Sequence, residues 1–293
     1  MNGSNHRLLP VASLLLAATL WGLVWYPLRL LDTHGIGGLW ASLVCYLATL
    51  LPGLPWLWRS LPAWRENGVL MALMALAVGW CNVAFVLAVI DGTVVRVLLL
   101  FYLSPLWALI LGWVMLGEHP GRQGLLVFVL AVTGAVTMLW DPHMGMPWPR
   151  DASDWLAASS GLAFALANVL VRGLHSVSVQ DKSAADWLGV ALVAAVWILV
   201  SGEPVPQAAA GTWLGAVALG WFGFMLMTVS VVYGVTHMPV HRSAVILLFE
   251  LVVGSVSALL LTDEQVLRQE WIGGALILSA AWLAAHAQVG ESR

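Results

Sequence analysis

The stretch from Arg96 to Glu118, RVLLLFYLSPLWALILGWVMLGE, returns later in the chain as Arg242 to Glu264, RSAVILLFELVVGSVSALLLTDE. Each copy is a charged residue, an apolar run with an aromatic near its first third, and a closing glutamate. An offset of 146 residues carries Arg96 onto Arg242, Ser104 onto Glu250, Pro105 onto Leu251 and Glu118 onto Glu264. Since the chain has 293 residues, that offset is half its length. A duplicated chain folds as two related halves, and a site is expected where they meet.

The solvent for such a fold follows from composition. Only 9% of residues are charged, 61% are hydrophobic, and the mean hydropathy is +0.90. Soluble domains carry about 25% charged residues, so these values exclude one. About 20 apolar residues suffice to cross a bilayer. Ten runs meet that length, at 9–31, 37–58, 67–90, 94–116, 122–140, 153–173, 184–201, 211–234, 242–262 and 270–288. Breakers such as Asp91-Gly92 and His119-Pro120-Gly121 separate them. The longest connection, Asp141 to Ser153, holds three prolines and divides the chain into repeats at 1–143 and 144–293. The first run is expected to be a retained span, because no small-residue cleavage site follows it.

Charge placement sets the orientation. With the N-terminus inside, Lys and Arg divide eight on the cytoplasmic side to four outside, which favours both termini cytoplasmic. Five crossings per half is an odd number, so the second repeat is inverted relative to the first, with the site near the midplane. A second register supports this, since an offset of 143 carries Gly22 onto Ala165 and Trp25 onto Asn168. The net charge of −3, without a basic patch, gives no reason to expect nucleic acid as a partner. Cys45 and Cys81 lie inside apolar runs and read as small buried hydrophobes. Among 18 tryptophans, many near run ends (Trp56, Trp58, Trp64, Trp140, Trp155, Trp271) suit headgroup anchoring.

Trp21-Gly22 with Arg29, and Ser104-Pro105 through Leu116-Gly117-Glu118, with echoes at Phe249-Glu250 and Asp263-Glu264, resemble the EamA-type members of the drug/metabolite transporter superfamily. The likeness covers essentially the whole chain, and within the superfamily it is most similar to the bacterial aromatic amino acid exporters (YddG-like). One departure is Leu251, where the family often has proline, which removes the proline argument for a helix break there. The resemblance implies an all-α membrane protein: a basket-like bundle of ten transmembrane helices in two inverted five-helix repeats. Its central cavity would draw mainly on spans one, three, four, six, eight and nine. It also implies a secondary transporter of the bacterial inner membrane that exports amino acids, aromatic ones included, and related metabolites. Efflux of cationic drugs or another small metabolite is the alternative.

Glu250 is the sharpest candidate residue, about nine residues into its span. An unpaired charge at that depth costs about 2.5–3.5 kcal/mol on insertion scales, so it should face protein or a water-filled cavity. It would serve a substrate ammonium or a proton, or else tie span nine to a neighbour. Arg29, Arg96, Arg172 and Arg242 fall at span ends and either guide a substrate carboxylate or snorkel to headgroups. Asn82 and Asn168, with Thr228 as the repeat partner of Asn82, line a cavity or join helices. Trp21, Trp25, Phe85, Tyr102, Phe164 and Trp221 either pack the core or form the apolar wall of a small-molecule site. Pro105, after Ser104, removes a backbone hydrogen bond and should bend its helix.

Other chemistry lacks a signature. His237 and His241 share a helical spacing, but Pro239 lies between them and no third ligand is near. Neither a phosphate-binding loop nor a nucleophile–base pair is present, so neither an enzyme nor a bound cofactor or metal is expected. The expected partners are a small-molecule substrate and the lipid bilayer; the oligomeric state stays open, with a monomer plausible.

Overall fold

A computed structural model describes residues 5–91, 94–140, 149–261 and 267–290. Glu264 and the side chain of Arg96 lie outside the described residues. Among the described residues every regular element is helical. Nine stretches among the described residues are long and apolar enough to cross a membrane, from Leu8–Thr33 to Val240–Leu261. A tenth helix, Arg268–Gly290, holds a shorter described apolar stretch at Trp271–Leu283.

Spans two, three, five, six, seven and ten are single helices, α3 (Gly38–Arg59), α4 (Leu61–Asp91), α7 (Arg122–Leu139), α8 (Ala152–Gly173), α9 (Val179–Ser201) and α14 (Arg268–Gly290). The other four are interrupted. Span one divides into α1 (Asn5–Leu23) and α2 (Trp25–Thr33), and span four into α5 (Val94–Phe101) and α6 (Ser104–Leu116). Span eight runs from α10 (Ala210–Ala218) through a π-helical turn at Leu219–Phe224 into α11 (Met225–His237). Span nine divides into α12 (Val240–Leu247) and α13 (Phe249–Leu261).

Proline explains two of these breaks. Its ring collides with the carbonyl four residues back, and its nitrogen donates nothing. Pro27 therefore ends α1 at Leu23, and Pro105 ends α5 at Phe101. Span nine breaks without proline at the equivalent place, where the Leu248 and Leu251 N–H groups donate i−3 hydrogen bonds to the Val245 and Leu248 carbonyls. The expectation that Leu251 removes the ground for a break is thus corrected. Packing accounts for it instead: all eight residues of α12 are buried, so neighbours on every side fix its direction. The turn in span eight adds a residue to the helical register beside α3, where Thr49 Oγ1 donates to Gly220 O at 3.0 Å.

Helix starts follow local chemistry. Ser178 caps α9 by accepting from Asp181 N–H at 3.1 Å, and Asp151 caps α8 by accepting from Asp154 N–H at 2.9 Å. Span seven consequently begins at Val179, five residues before the apolar run suggests, and Lys182 is a buried helical residue rather than a loop residue. Span three also starts earlier, at Leu61, with a kink at Asn67 (φ −122°, ψ 23°).

The tightest helix pairs have a regularity. Span three packs on six and seven, and span eight on one and two; span four packs on six and span nine on one. Spans two and seven pack together, as do five and ten. Exchanging each span with the one five places along leaves this set of pairs unchanged. The α4–α9 crossing is glycine-dependent, because a Cβ on Gly79 would stand 2.5 Å from Gly189 O. Small residues at crossings are how membrane helices gain dispersion contacts. The main core joins both halves through Leu14, Met71, Met74, Leu174, Met238, Ile246 and Ile277. The outer surface is apolar, with Trp58, Leu199, Val200 and Leu260 each more than three-quarters exposed, as a lipid-facing surface requires.

Candidate functional site

The broken spans surround a cavity of about 170 Å³, reached by side chains from α1, α3, α4, α5 and the turn after it, α6, α8, α9, α11, α12 and α13. At its centre Tyr102 Oη donates to Glu250 Oε1 at 2.9 Å. Tyr102 follows the end of α5 and Glu250 is the second residue of α13, so each sits at the break of its own span. The bond therefore joins span four to span nine through the two interrupted places. A hydrogen bond to a charged acceptor is worth about 1.5–3 kcal/mol when its alternative is an unmade one.

Rings make the apolar wall. Phe101 stacks edge-on against Phe85 (centroids 4.9 Å apart) and Tyr102 (5.2 Å), and tilts against Phe164 at 5.7 Å. Trp21 and Tyr46 complete it from spans one and two, both against Phe224 at 5.7 and 5.0 Å. Asn82 and its repeat partner Thr228 both face the cavity, as do Ser104 and Asn168. Asn82 Oδ1 is buried without a hydrogen-bond donor.

Three of the expected lining residues stand elsewhere. Trp25 lies past the break in span one, and its indole N–H donates to Ser257 Oγ at 2.9 Å, holding α2 to α13. Pro105 is buried behind Ser104 and shapes the break without facing the space. Trp221 sits on the π-helical turn, 43% exposed, with its indole N–H on Ala48 O at 2.6 Å. Its depth along span eight is right, but the extra residue of the turn aims it outward.

Among the described side chains, none of Arg29, Arg172 and Arg242 lines the cavity. Arg172 directs its guanidinium to Glu118 Oε1 (3.0 Å) and Thr236 O (2.8 Å). Glu118 is turned back toward the bundle by Gly117, whose left-handed φ of 67° closes a Schellman motif through Glu118 N–H to Gly112 O. Its second oxygen accepts from Val240 N–H at 2.8 Å, capping α12. Arg242 is buried in α12, and Arg29 is exposed on α2.

Two groups in this region carry no expectation from the sequence. Asp186 lies on the cavity wall only 3% exposed, with Oδ1 lacking any donor. One turn before it, Lys182 is fully buried and donates to Val171 O (3.0 Å), Leu174 O (3.3 Å) and Thr236 Oγ1 (2.7 Å). A usable signal exists in the sequence. Ser178-Val-Gln-Asp181 is a capping box, and reading it as a helix start brings Lys182 into span seven and sets Asp186 deeper than the edge of the 184–201 run. Together Arg172, Lys182, Glu118 and Thr236 tie α6, α8, α9, α11 and α12 at one end of the bundle.

Comparison with known proteins agrees with this architecture. A protein of known crystal structure superposes on 99% of the chain, over 99% of its own length, with a TM-score of 0.78 at 17% identity, a likeness of fold. An uncharacterized transporter of Archaeoglobus fulgidus is 26% identical over 215 residues, 72% of this chain and 75% of that one. Protein RarD of Salmonella typhi is 31% identical over 130 residues, 44% of this chain and 41% of RarD. The sequence model of the EamA-like transporter family matches twice, at residues 8–140 and 152–285. Nine apolar helices long enough to cross a membrane among the described residues, and two matches that fill nearly the whole chain, make this protein a multi-pass member of the EamA-like transporter family.

Proposed function

We propose that this chain is a secondary transporter of the bacterial inner membrane that exports small metabolites, amino acids and aromatic ones among them, by alternating access around the cavity. The observation that carries the reading is the Tyr102–Glu250 hydrogen bond inside a ring-lined space at the breaks of spans four and nine. An ionisable group within membrane spans is a functional candidate by default, and inverted halves place the substrate between them. The two family matches, and the helix pairs that survive exchange of the halves, support an inverted duplication with repeats at 1–143 and 144–293.

Orientation supplies the direction. With both termini cytoplasmic, the end tied by Arg172, Glu118 and Lys182 faces the cytoplasm. A cavity closed there would release its substrate outward once the opposite end opens. Arg172 and Glu118 then act on the substrate's path by holding helices, while Trp21, Phe85, Tyr102 and Phe164 meet its apolar part and Asn82, Ser104, Asn168 and Glu250 its polar part.

Reconstitution in liposomes and counterflow with a panel of amino acids and organic cations tests the reading. Exchange of at least one class is expected, and Trp21→Ala should change the order of preference while insertion stays normal. Absence of exchange for every compound would remove the transport reading. Unchanged preference in the variant would return that ring to the core.

A further inference from the structure

The polar inventory of the cavity is one-sided. Two carboxyl groups face it, Asp186 from α9 and Glu250 from α13, and no lysine or arginine among the described residues lines it. Glu250 is held by Tyr102, but Asp186 is not held. Its obvious partner is Lys182, one turn earlier on the same helix. An ammonium has three N–H donors, and Lys182 directs three hydrogen bonds to Val171 O, Leu174 O and Thr236 Oγ1. None is left for Asp186.

A buried carboxylate oxygen without a donor is costly, so one that persists in a cavity wall calls for a group that comes and goes. Asn82 Oδ1 is a second acceptor in the same condition. Around them the faces of Trp21, Tyr46 and Phe101 attract cations through their quadrupoles. A ligand carboxylate would meet two acids and no base, whereas a ligand ammonium meets acceptors and ring faces. The cavity, at about 170 Å³, is also smaller than the roughly 300–1,000 Å³ of drug-sized sites.

We infer that the cavity receives small monocationic amines carrying a single aromatic ring, with Asp186 accepting the ammonium. This rests on the transport reading and narrows its substrate to one charge type, setting zwitterionic amino acids second. Asp186 is then a specificity-determining residue that positions the amine against the rings.

Three probes with one phenyl ring and different charge separate the cases: phenethylamine, phenylalanine and 3-phenylpropanoate. Binding to the purified full chain is measured by isothermal titration at fixed pH, and transport by counterflow in liposomes. The amine should bind about tenfold or more tighter than the other two. Asp186→Asn, which keeps the side-chain shape, should remove about that factor for the amine and leave phenylalanine within about twofold. Phenylalanine or phenylpropanoate bound as tightly as the amine by the unmodified protein would overturn the inference while leaving transport intact. So would undiminished amine affinity in a folded Asp186→Asn. If no probe binds and counterflow moves no member of the wider panel, the transport reading falls with it.

Discussion

Spans four and nine occupy equivalent places in the two halves and break at equivalent residues. The first copy stops at Phe101 and resumes at Ser104; the second stops at Leu247 and resumes at Phe249. Only the first has a proline to enforce the break. In the second, burial of every residue of α12 replaces it. Backbone geometry has thus been kept by two different physical means. Side-chain chemistry has not been kept, for Ser104 stands where the other copy has Glu250, and both face the cavity. The comparison teaches that both spans keep an interruption at the cavity, while only span nine places a carboxyl group there.

Placing an acid in both copies would break the comparison most severely. Ser104→Glu puts a third carboxyl group into the cavity beside Asp186 and Glu250, without a cation among its described lining, at a cost of about 3–5 kcal/mol. Loss of the monodisperse protein from detergent extracts is expected, and combining it with Glu250→Ser should restore much of the yield. Size-exclusion chromatography reads both outcomes. Removing the tie between the copies is milder. Tyr102→Phe leaves the ring and deletes the donor to Glu250, so thermal unfolding in detergent should reflect a loss of about 1.5–3 kcal/mol.

The smallest effect should come from the proline itself. Because span nine breaks without one, Pro105→Ala should leave the interruption in place, with stability within about 1 kcal/mol of the parent and transport nearly unchanged. A large loss in either would show that the two breaks are not equivalent.

Much of the bundle was legible before any coordinates. The all-helical fold, most of its spans and the mid-span acid follow from hydropathy and spacing, which the bilayer makes strict. Trp21, Tyr102 and Glu250 stand at the depth where the cavity lies. Trp25 and Trp221 do not line it, because hydropathy fixes depth along a helix but not rotation about it. The break at Pro27 and the π-helical turn supply that rotation. Pro105 acts on the backbone, so its side chain has no reason to face a ligand. Asp186 was hidden by a different cause. It is the third residue of the 184–201 run, where an acid reads as a span-end group, and only the Ser178 cap shows that the helix has already made about two turns by then.

The central claim is that Glu250, a carboxyl group absent from the equivalent position of the other copy, is required for transport. Glu250→Gln tests it directly, since the amide keeps size and hydrogen bonding and removes the titratable charge. Purified variant and parent would be compared in liposomes for substrate exchange across a range of pH. The account predicts normal insertion and an unchanged elution profile, transport reduced to a small fraction, and a flattened pH dependence. Equal transport with the parent's pH profile would contradict it, leaving Glu250 as a tie between spans four and nine.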